Sequence, residues 1–278
     1  MQGTENVALY TVETAYGDRH HEVTSPDNPH HLQLKSNEEI WLKENMINLG
    51  VKHLLPRNWK YVAWVDCDVF FRDPNWATNA IHALQHYHLI QPWMSAVNLG
   101  HAGQITSSFD SVGWKLYKGI DSSKLYTGDP AIIGHCGYAW ACTREFYEGV
   151  EGLLDFAILG SGDHNMCLAA RGIVKKSINM QMGEAFVRKC MEWERRAMRF
   201  TAGNIGYSAG RIEHKFHGAM KNRQYKERWR ILVDRGFDPE KDLVRDSQGL
   251  WRLEGKPALH YDILRYNRSR NEDSIDEG

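Results

Sequence analysis

Residues 59–76 read WKYVAWVDCDVFFRDPNW: an apolar run meets two aspartates one residue apart, Asp66 and Asp68, and turns apolar again at once. The Tyr61–Val65 core is short, β-branched and aromatic, with charge only at its C-terminal end, which is the pattern of a buried strand in an α/β sheet. Ligands of such sheets bind beyond the carboxyl ends of the strands, so both aspartates fall on the binding edge. Alone, a D-x-D is a weak signal, since about one is expected by chance in a chain of this length. Placement strengthens it. Along a strand the two side chains point to opposite faces, whereas at a strand end turning into a loop both can converge on one ligand. A carboxylate framed by apolar residues is costly unless it is paired or holds a cation. The alternative is that the pair caps the following FRDPNWA turn.

The flanking sequence predicts an α/β chain. VALYTV (residues 7–12) favours a strand, and TSPDNPHH (24–31) reads as loop. Ser36 with Glu39 forms a capping box before Leu42, Met46 and Leu49, which predicts a helix that Gly50 ends or bends. Strand, helix and buried strand together make a βαβ arrangement. Residues 77–91 predict a helix leading into a strand, and residues 101–130, rich in Gly, Ser and Asp, predict a hairpin or irregular structure. Residues 132–172 predict a strand, a helix, a glycine turn and a second helix. Residues 185–235 read as basic and mostly helical, interrupted by TAGNIGYSAG, and NRSRNEDSIDEG reads as a polar tail unless something ties it down.

With 278 residues the chain is long enough to bury a full core in one large domain. No window approaches a membrane span, and MQGTENVALY lacks the basic and apolar regions of a leader, so the expectation is a soluble protein of the cytoplasm. Five cysteines without a C-x-x-C predict reduced, buried thiols. The net charge of -1 conceals an asymmetry: residues 171–235 carry 16 Lys or Arg against 6 Asp or Glu. That segment is either a solvated face or a surface for phosphates or a polyanion.

Two further stretches carry chemistry. LGSGDHNM (159–166) places Asp163 after a Gly-Ser-Gly turn at a helix start, where it caps the helix or serves as a general base. RIEHKFHGAMKNRQY (211–225) places His214 and His217 three apart, with Lys221 beyond them. One of these histidines completing an oxygen-rich site with Asp68 would suit Mn²⁺, and the basic side chains beside it could hold a diphosphate. Neither G-x-x-x-x-G-K nor G-x-G-x-x-G is present, which disfavours P-loop and dinucleotide-binding enzymes.

With these residues in place, the chain resembles the GT-A glycosyltransferases. VDCDVFF is similar to their D-x-D strand. GHCGYAWACTREFYEGVEGLLDFAILGSGDHNM resembles a segment of inverting members of the galactosyltransferase and chondroitin-synthase type, and HKFHG followed by KNRQY resembles their histidine ligand and basic tail. The resemblance implies a single GT-A (Rossmann-like) domain over residues 1–265, with a mixed central sheet flanked by helices and a polar tail at 266–278. Residues 1–100 would form its nucleotide-binding part and 101–265 its acceptor and catalytic part. It implies Mn²⁺ or Mg²⁺ as cofactor and a nucleotide-sugar donor of the UDP-sugar type. Asp68 and His217 would be metal ligands, with His214 the alternative to His217. Asp66 would bind ribose or assist the metal, Thr11 would line the base, Lys221 would assist the diphosphate, and Asp163 would take the acceptor proton. Here Asp163 is followed by His164 and Asn165, whereas the galactosyltransferase group has consecutive acids.

Tyr138 and Trp140 are candidates for stacking on a sugar ring, or equally for core packing. The basic segment makes modified DNA, such as hydroxymethylated bases of a phage genome, a candidate acceptor, with a polysaccharide or protein glycan as the alternative. The cell would then be bacterial or an infected host. A metal-dependent nuclease using Asp66, Asp68 and Asp163, or a non-catalytic binder, are the rival classes.

Overall fold

A computed structural model describes residues 7–119, 130–225, 227–272 and 274. The chain is mixed α/β, but its strands divide among four sheets rather than joining one central sheet. Strand β1 (Thr11–Tyr16) pairs in parallel with β2 (His31–Ser36), and this two-stranded sheet packs on helix α1 (Lys43–Leu54). Gly50 lies in the interior of α1, where a Cβ would stand 2.7 Å from Val12 Cγ2, so its small size sets the approach of helix to strand. The expected helix start at Ser36 is corrected. Ser36 ends β2, its hydroxyl closes a local turn on Glu38, and α1 begins at Lys43 without a side-chain cap.

The strand of the opening stretch, β3 (Tyr61–Val65), forms as expected but lies at a sheet edge, with Trp64 its one buried residue. Its neighbour is β8 (Ala139–Thr143), antiparallel, followed by β5 (Leu89–Gln91) and β9 (Gly206–Tyr207). The expected βαβ unit is therefore not made, because β1 takes β2 and β3 takes β8. After the Asp66–Asp68 turn the chain enters a second sheet as β4 (Val69–Phe71), ordered β4, β10 (Arg211–His214), β6 (Ser95–Leu99) and β7 (Ile105–Asp110). Of the stretch expected to be irregular or hairpin, 101–130, the β6–β7 hairpin takes only the first ten residues, Val112–Tyr117 is helical instead, and residues 120–129 lie outside the described residues. Between β5 and β6, Pro92 cannot donate to a ladder, and Trp93 is fully buried with its indole N–H on the Ala139 carbonyl.

Helix α2 (Trp76–Ala83) precedes β5, and α3 (Val112–Tyr117) follows β7. The short α4 (Pro130–Ile133) leads to β8, and Thr143 caps α5 (Arg144–Gly149) by accepting from the Phe146 N–H. After the glycine turn, α6 (Gly162–Ala170) packs on the long amphipathic α7 (Glu184–Thr201). Trp64, Trp140, Phe146, Ile158, Cys167 and Trp193 belong to the main core between these layers. Helix α8 (Trp229–Asp234), the hairpin β11 (Leu243–Arg245) and β12 (Trp251–Leu253), and α9 (Pro257–Ser269) complete the chain. The expected tail at 266–278 thus begins inside α9, where Tyr266 is buried. All five cysteines are free; Cys67 is exposed and the other four are buried. Among the described residues no helix is long and apolar enough to cross a membrane.

Candidate metal centre

Strand pairing builds the site. Strand β10 runs antiparallel to β4 with His214 opposite Val69, and the Lys215 N–H donates to the Asp68 carbonyl at 2.9 Å. The residue entering β4 and the residue leaving β10 are thereby placed side by side. Asp68 Oδ2 lies 3.2 Å from His214 Nε2 and 2.9 Å from His217 Nε2, and the two histidine nitrogens are 3.0 Å apart. Both histidines, rather than one of them, join Asp68.

Three lone-pair atoms aimed at a common point repel one another unless a proton or a cation lies among them. Ligands about 2.1 Å from one small cation, at right angles to each other, would be about 3.0 Å apart, close to the separations seen here. Asp68 Oδ1 is buried and has no hydrogen-bond partner, which leaves a second carboxylate oxygen for a cation. Two nitrogens and a carboxylate suit Mn²⁺, Zn²⁺ or Fe²⁺ better than Ca²⁺ or Mg²⁺. Burial alone would raise the Asp68 carboxyl, but hydrogen bonds from His214 and His217 outweigh it and hold the group well below the usual carboxylate range.

The D-x-D pair divides. Asp66 faces away from the histidines and forms an ion pair with Lys43, the first residue of α1, while its N–H donates to the Tyr138 carbonyl at 2.8 Å. Lys43 is also close enough to Asp163 and Glu44 for all three carboxylates to hold it charged against the opposing effect of burial. Asp163 sits in the first turn of α6, entered through Gly160 and Ser161 in left-handed conformation (φ 85° and 72°). A Cβ on Gly137 would stand 2.9 Å from Asp163 Oδ2 and 3.0 Å from His135 Cε1, so that bare glycine lets both side chains approach it. His135 stacks on Tyr138 with centroids 4.0 Å apart, and Tyr138 in turn lies 5.0 Å from the His214 ring. The Gly137 N–H donates to His135 Nδ1, so the neutral ring carries its proton on Nε2; burial pushes its pKa down to about 4, with Asp163 opposing the shift and nearby cations adding to it.

Beneath the glycine turn lies Glu44, 3% exposed, where a Cβ on Gly162 would meet its Oε1 at 2.5 Å. Burial pushes Glu44 up to about 7, with Lys43 opposing the shift and Asp163 adding to it. A carboxyl raised in the folded state binds more protons there than in the unfolded chain, so it costs stability as pH rises from about 4.5 to about 7. His135, lowered in the folded state, acts in the opposite sense and costs stability as pH falls from about 6.5 to about 4. The contribution of Glu44 is therefore isolated by comparison with Glu44→Gln. Urea unfolding across this range should show the wild type losing up to about 3 kcal/mol relative to the variant as pH rises. A constant difference between the two would refute the assignment.

Two guanidinium groups flank the site. Arg223 Nη2 lies 2.7 Å from His217 Nε2, the nitrogen that also faces Asp68, and the buried Arg228 reaches Ser161 Oγ in the glycine turn. Tyr266 ties them together, its hydroxyl donating to the Arg223 carbonyl at 2.7 Å while lying 3.4 Å from Arg228 Nη1. Lys221 is exposed on the same short turn, Met220–Arg223. Thr11 stays in the β1–β2 sheet, with its N–H on the His30 carbonyl, and among the described residues no hydrogen bond or ion pair joins it to the cluster.

Lys43, Glu44, His135 and Arg228 escape sequence reading because each is an unremarkable helix or loop residue until tertiary contacts surround it. Tyr138 and Trp140 are 5% and 4% exposed, which assigns both to packing rather than to an open stacking surface. A partly open ring cluster is found instead on α3 and β9, where the exposed Tyr117 meets the half-buried Trp114 and Tyr207 with centroids 5.0–5.5 Å apart. The excess charge of residues 171–235 is partly offset by acids from outside that segment: Arg188 pairs with Glu240, Arg196 with Glu151 and Arg235 with Asp262. Comparison of this chain with protein-family models, curated proteins and solved structures returns no match.

Proposed function

We propose that this chain is a metal-dependent glycosyltransferase that moves a sugar from a nucleoside diphosphate sugar, of the UDP-sugar type, to an acceptor hydroxyl. The observation that carries this reading is the convergence of Asp68, His214 and His217 with an unpartnered Asp68 oxygen, beside the guanidinium of Arg223. A divalent cation held by these three side chains supplies the positive charge that stabilises a departing diphosphate. Arg223 and Arg228, with Lys221 nearby, bind phosphate oxygens. Asp163, held at a helix start and balanced by Lys43, accepts the proton of the attacking hydroxyl, the role an inverting displacement needs filled. Asp66 is held by Lys43 and is available to a ribose hydroxyl rather than to the cation.

The acceptor is a hydroxyl on a glycan or on a hydroxymethylated base, and the exposed Tyr117, backed by the half-buried Trp114 and Tyr207, offers a ring on which either can stack. The partial pairing of the basic segment weakens the case for a long polyanion. The deciding experiment measures nucleoside diphosphate release from UDP- and GDP-sugars with Mn²⁺, alone and with hydroxymethylcytosine DNA or neutral oligosaccharides. Mn²⁺-dependent release from one donor, stimulated by one acceptor, is the expected result. Protein that binds Mn²⁺ yet releases nothing from any donor would refute the proposal.

A second reading comes from the donor set itself, since two histidines and one carboxylate on one face also suit non-haem Fe(II). It predicts preferential Fe(II) uptake under anaerobic conditions and oxygen consumption by the loaded protein. The acidic group around Lys43 and the paired arginines have no role in that chemistry, which is why the transferase reading is preferred.

A further inference from the structure

We infer that Glu272, in the segment following α9, is a positioning residue of the metal centre that holds the His217 imidazole from the far side of its ring. The inference rests on the metal-site reading above and extends it to a part of the chain expected to be a free polar tail. His217 turns Nε2 towards Asp68 Oδ2, and its other nitrogen, Nδ1, lies 3.7 Å from Glu272 Oε1. When a cation takes the Nε2 lone pair, the ring proton must sit on Nδ1, and that N–H then needs an acceptor. Glu272 supplies it. Arg223 Nη2 lies 3.1 Å from this nitrogen and 2.7 Å from Nε2; as a donor it cannot accept the Nδ1 proton, and it must yield Nε2 to the cation. The gap to Glu272 is roughly 0.5 Å longer than a hydrogen bond; Oε1 is also held by Arg270, so closing the gap takes a small rotation of a side chain that is 45% exposed and shares its oxygen between the two partners.

The backbone holds the carboxylate in this place. Gly218, immediately after His217, has φ 80°, and a Cβ there would stand 2.9 Å from both Asn271 O and Glu272 Cα, so only glycine lets the two segments approach so closely. Several contacts anchor the end of α9 and the residues after it. Asn267 Nδ2 donates to the Glu39 carbonyl, Tyr266 donates to the Arg223 carbonyl, and Arg270 lies over the Trp41 ring while pairing with Glu272. The C-terminal segment is thus tied both to the turn that carries His217 and to the chain leading into α1. Outer hydrogen bonds of this kind fix ring orientation and raise ligand basicity, and their loss commonly weakens metal binding by about 10–100-fold.

The test is calorimetric titration of the full chain with Mn²⁺, wild type against Glu272→Gln, which keeps shape and removes charge. It should be run at about 1 M salt, where the Debye length of about 3 Å suppresses general attraction between carboxylate and cation. The expected result is at least about tenfold weaker Mn²⁺ binding by the variant, with the melting temperature of the metal-free protein within about 2 °C of wild type. Affinities equal within about twofold would overturn the inference while leaving the metal centre intact. A loss of affinity accompanied by a matching loss of melting temperature would overturn it as well, because the segment would then act through packing. Wild-type protein that binds no divalent cation would refute the metal centre itself, and this inference with it.

Discussion

Replacing Asp68 with asparagine is expected to abolish divalent-cation binding and to reduce sugar transfer at least about 10³-fold. Asp68 supplies the negative charge of the cluster, and its Oδ2 is shared between both histidines at 3.2 and 2.9 Å. Stabilising a leaving group through a cation contributes several kcal/mol to the transition state, and about 4 kcal/mol corresponds to a thousandfold in rate. Asparagine keeps the size of the side chain, so the β4–β10 pairing should survive, and circular dichroism of the variant should match the wild type. Asp66→Asn should behave differently. Asp66 belongs to the Lys43 pair, and its loss should leave cation affinity within a few-fold of wild type. Metal titration of both variants separates the two aspartates; normal Mn²⁺-dependent turnover by Asp68→Asn would sink the mechanism.

The second large effect is expected from Lys43→Met. Lys43 pairs with Asp66 and is the cation that balances Asp163 and Glu44, and the Lys43 and Asp66 side chains are only 27% and 26% exposed. Breaking a fully buried pair by removing one partner typically costs about 3–5 kcal/mol, and the residual solvent contact here reduces that to about 2–3 kcal/mol. The sign with pH follows. Without Lys43, the buried Glu44 loses the charge that opposes its upward shift, so the variant should regain part of its stability as pH falls towards 5. Adding Asp66→Asn to the variant should recover part of the loss, because the two residues interact directly. Urea unfolding of the single and double variants measures both effects. A change below about 0.5 kcal/mol at pH 7.5 would place Lys43 among ordinary surface lysines.

The legible part of this chain lies where neighbouring residues settle the backbone. β-Branched and aromatic residues made Tyr61–Val65 a strand, and Gly160-Ser161-Gly162 forced the left-handed turn that delivers Asp163 to the first turn of α6. Asp68 and the two histidines were legible as chemistry, since lone-pair donors at a strand end and after a basic strand are unusual in any packed chain. The failure at Ser36 is equally local in origin. Serine followed by glutamate three residues on satisfies the pattern of a helix cap, and only the parallel pairing of β2 with β1 shows that the same serine ends a strand.

The sequence by itself determined the identity of the donor atoms, the turns that present them and the alternation of helices and strands, because each depends on propensities acting over a few residues. Tertiary structure alone decided which donors meet. The register that sets His214 against Val69 brings both histidines to Asp68, while the ion pair with Lys43 draws Asp66 away from them. It also decided that the strands divide among four sheets and that Glu272 returns to His217. The physical reason is common to all of these. Convergence of charges and lone pairs is a property of strand pairing and packing between segments distant in the chain, and no local pattern of residues encodes the partner.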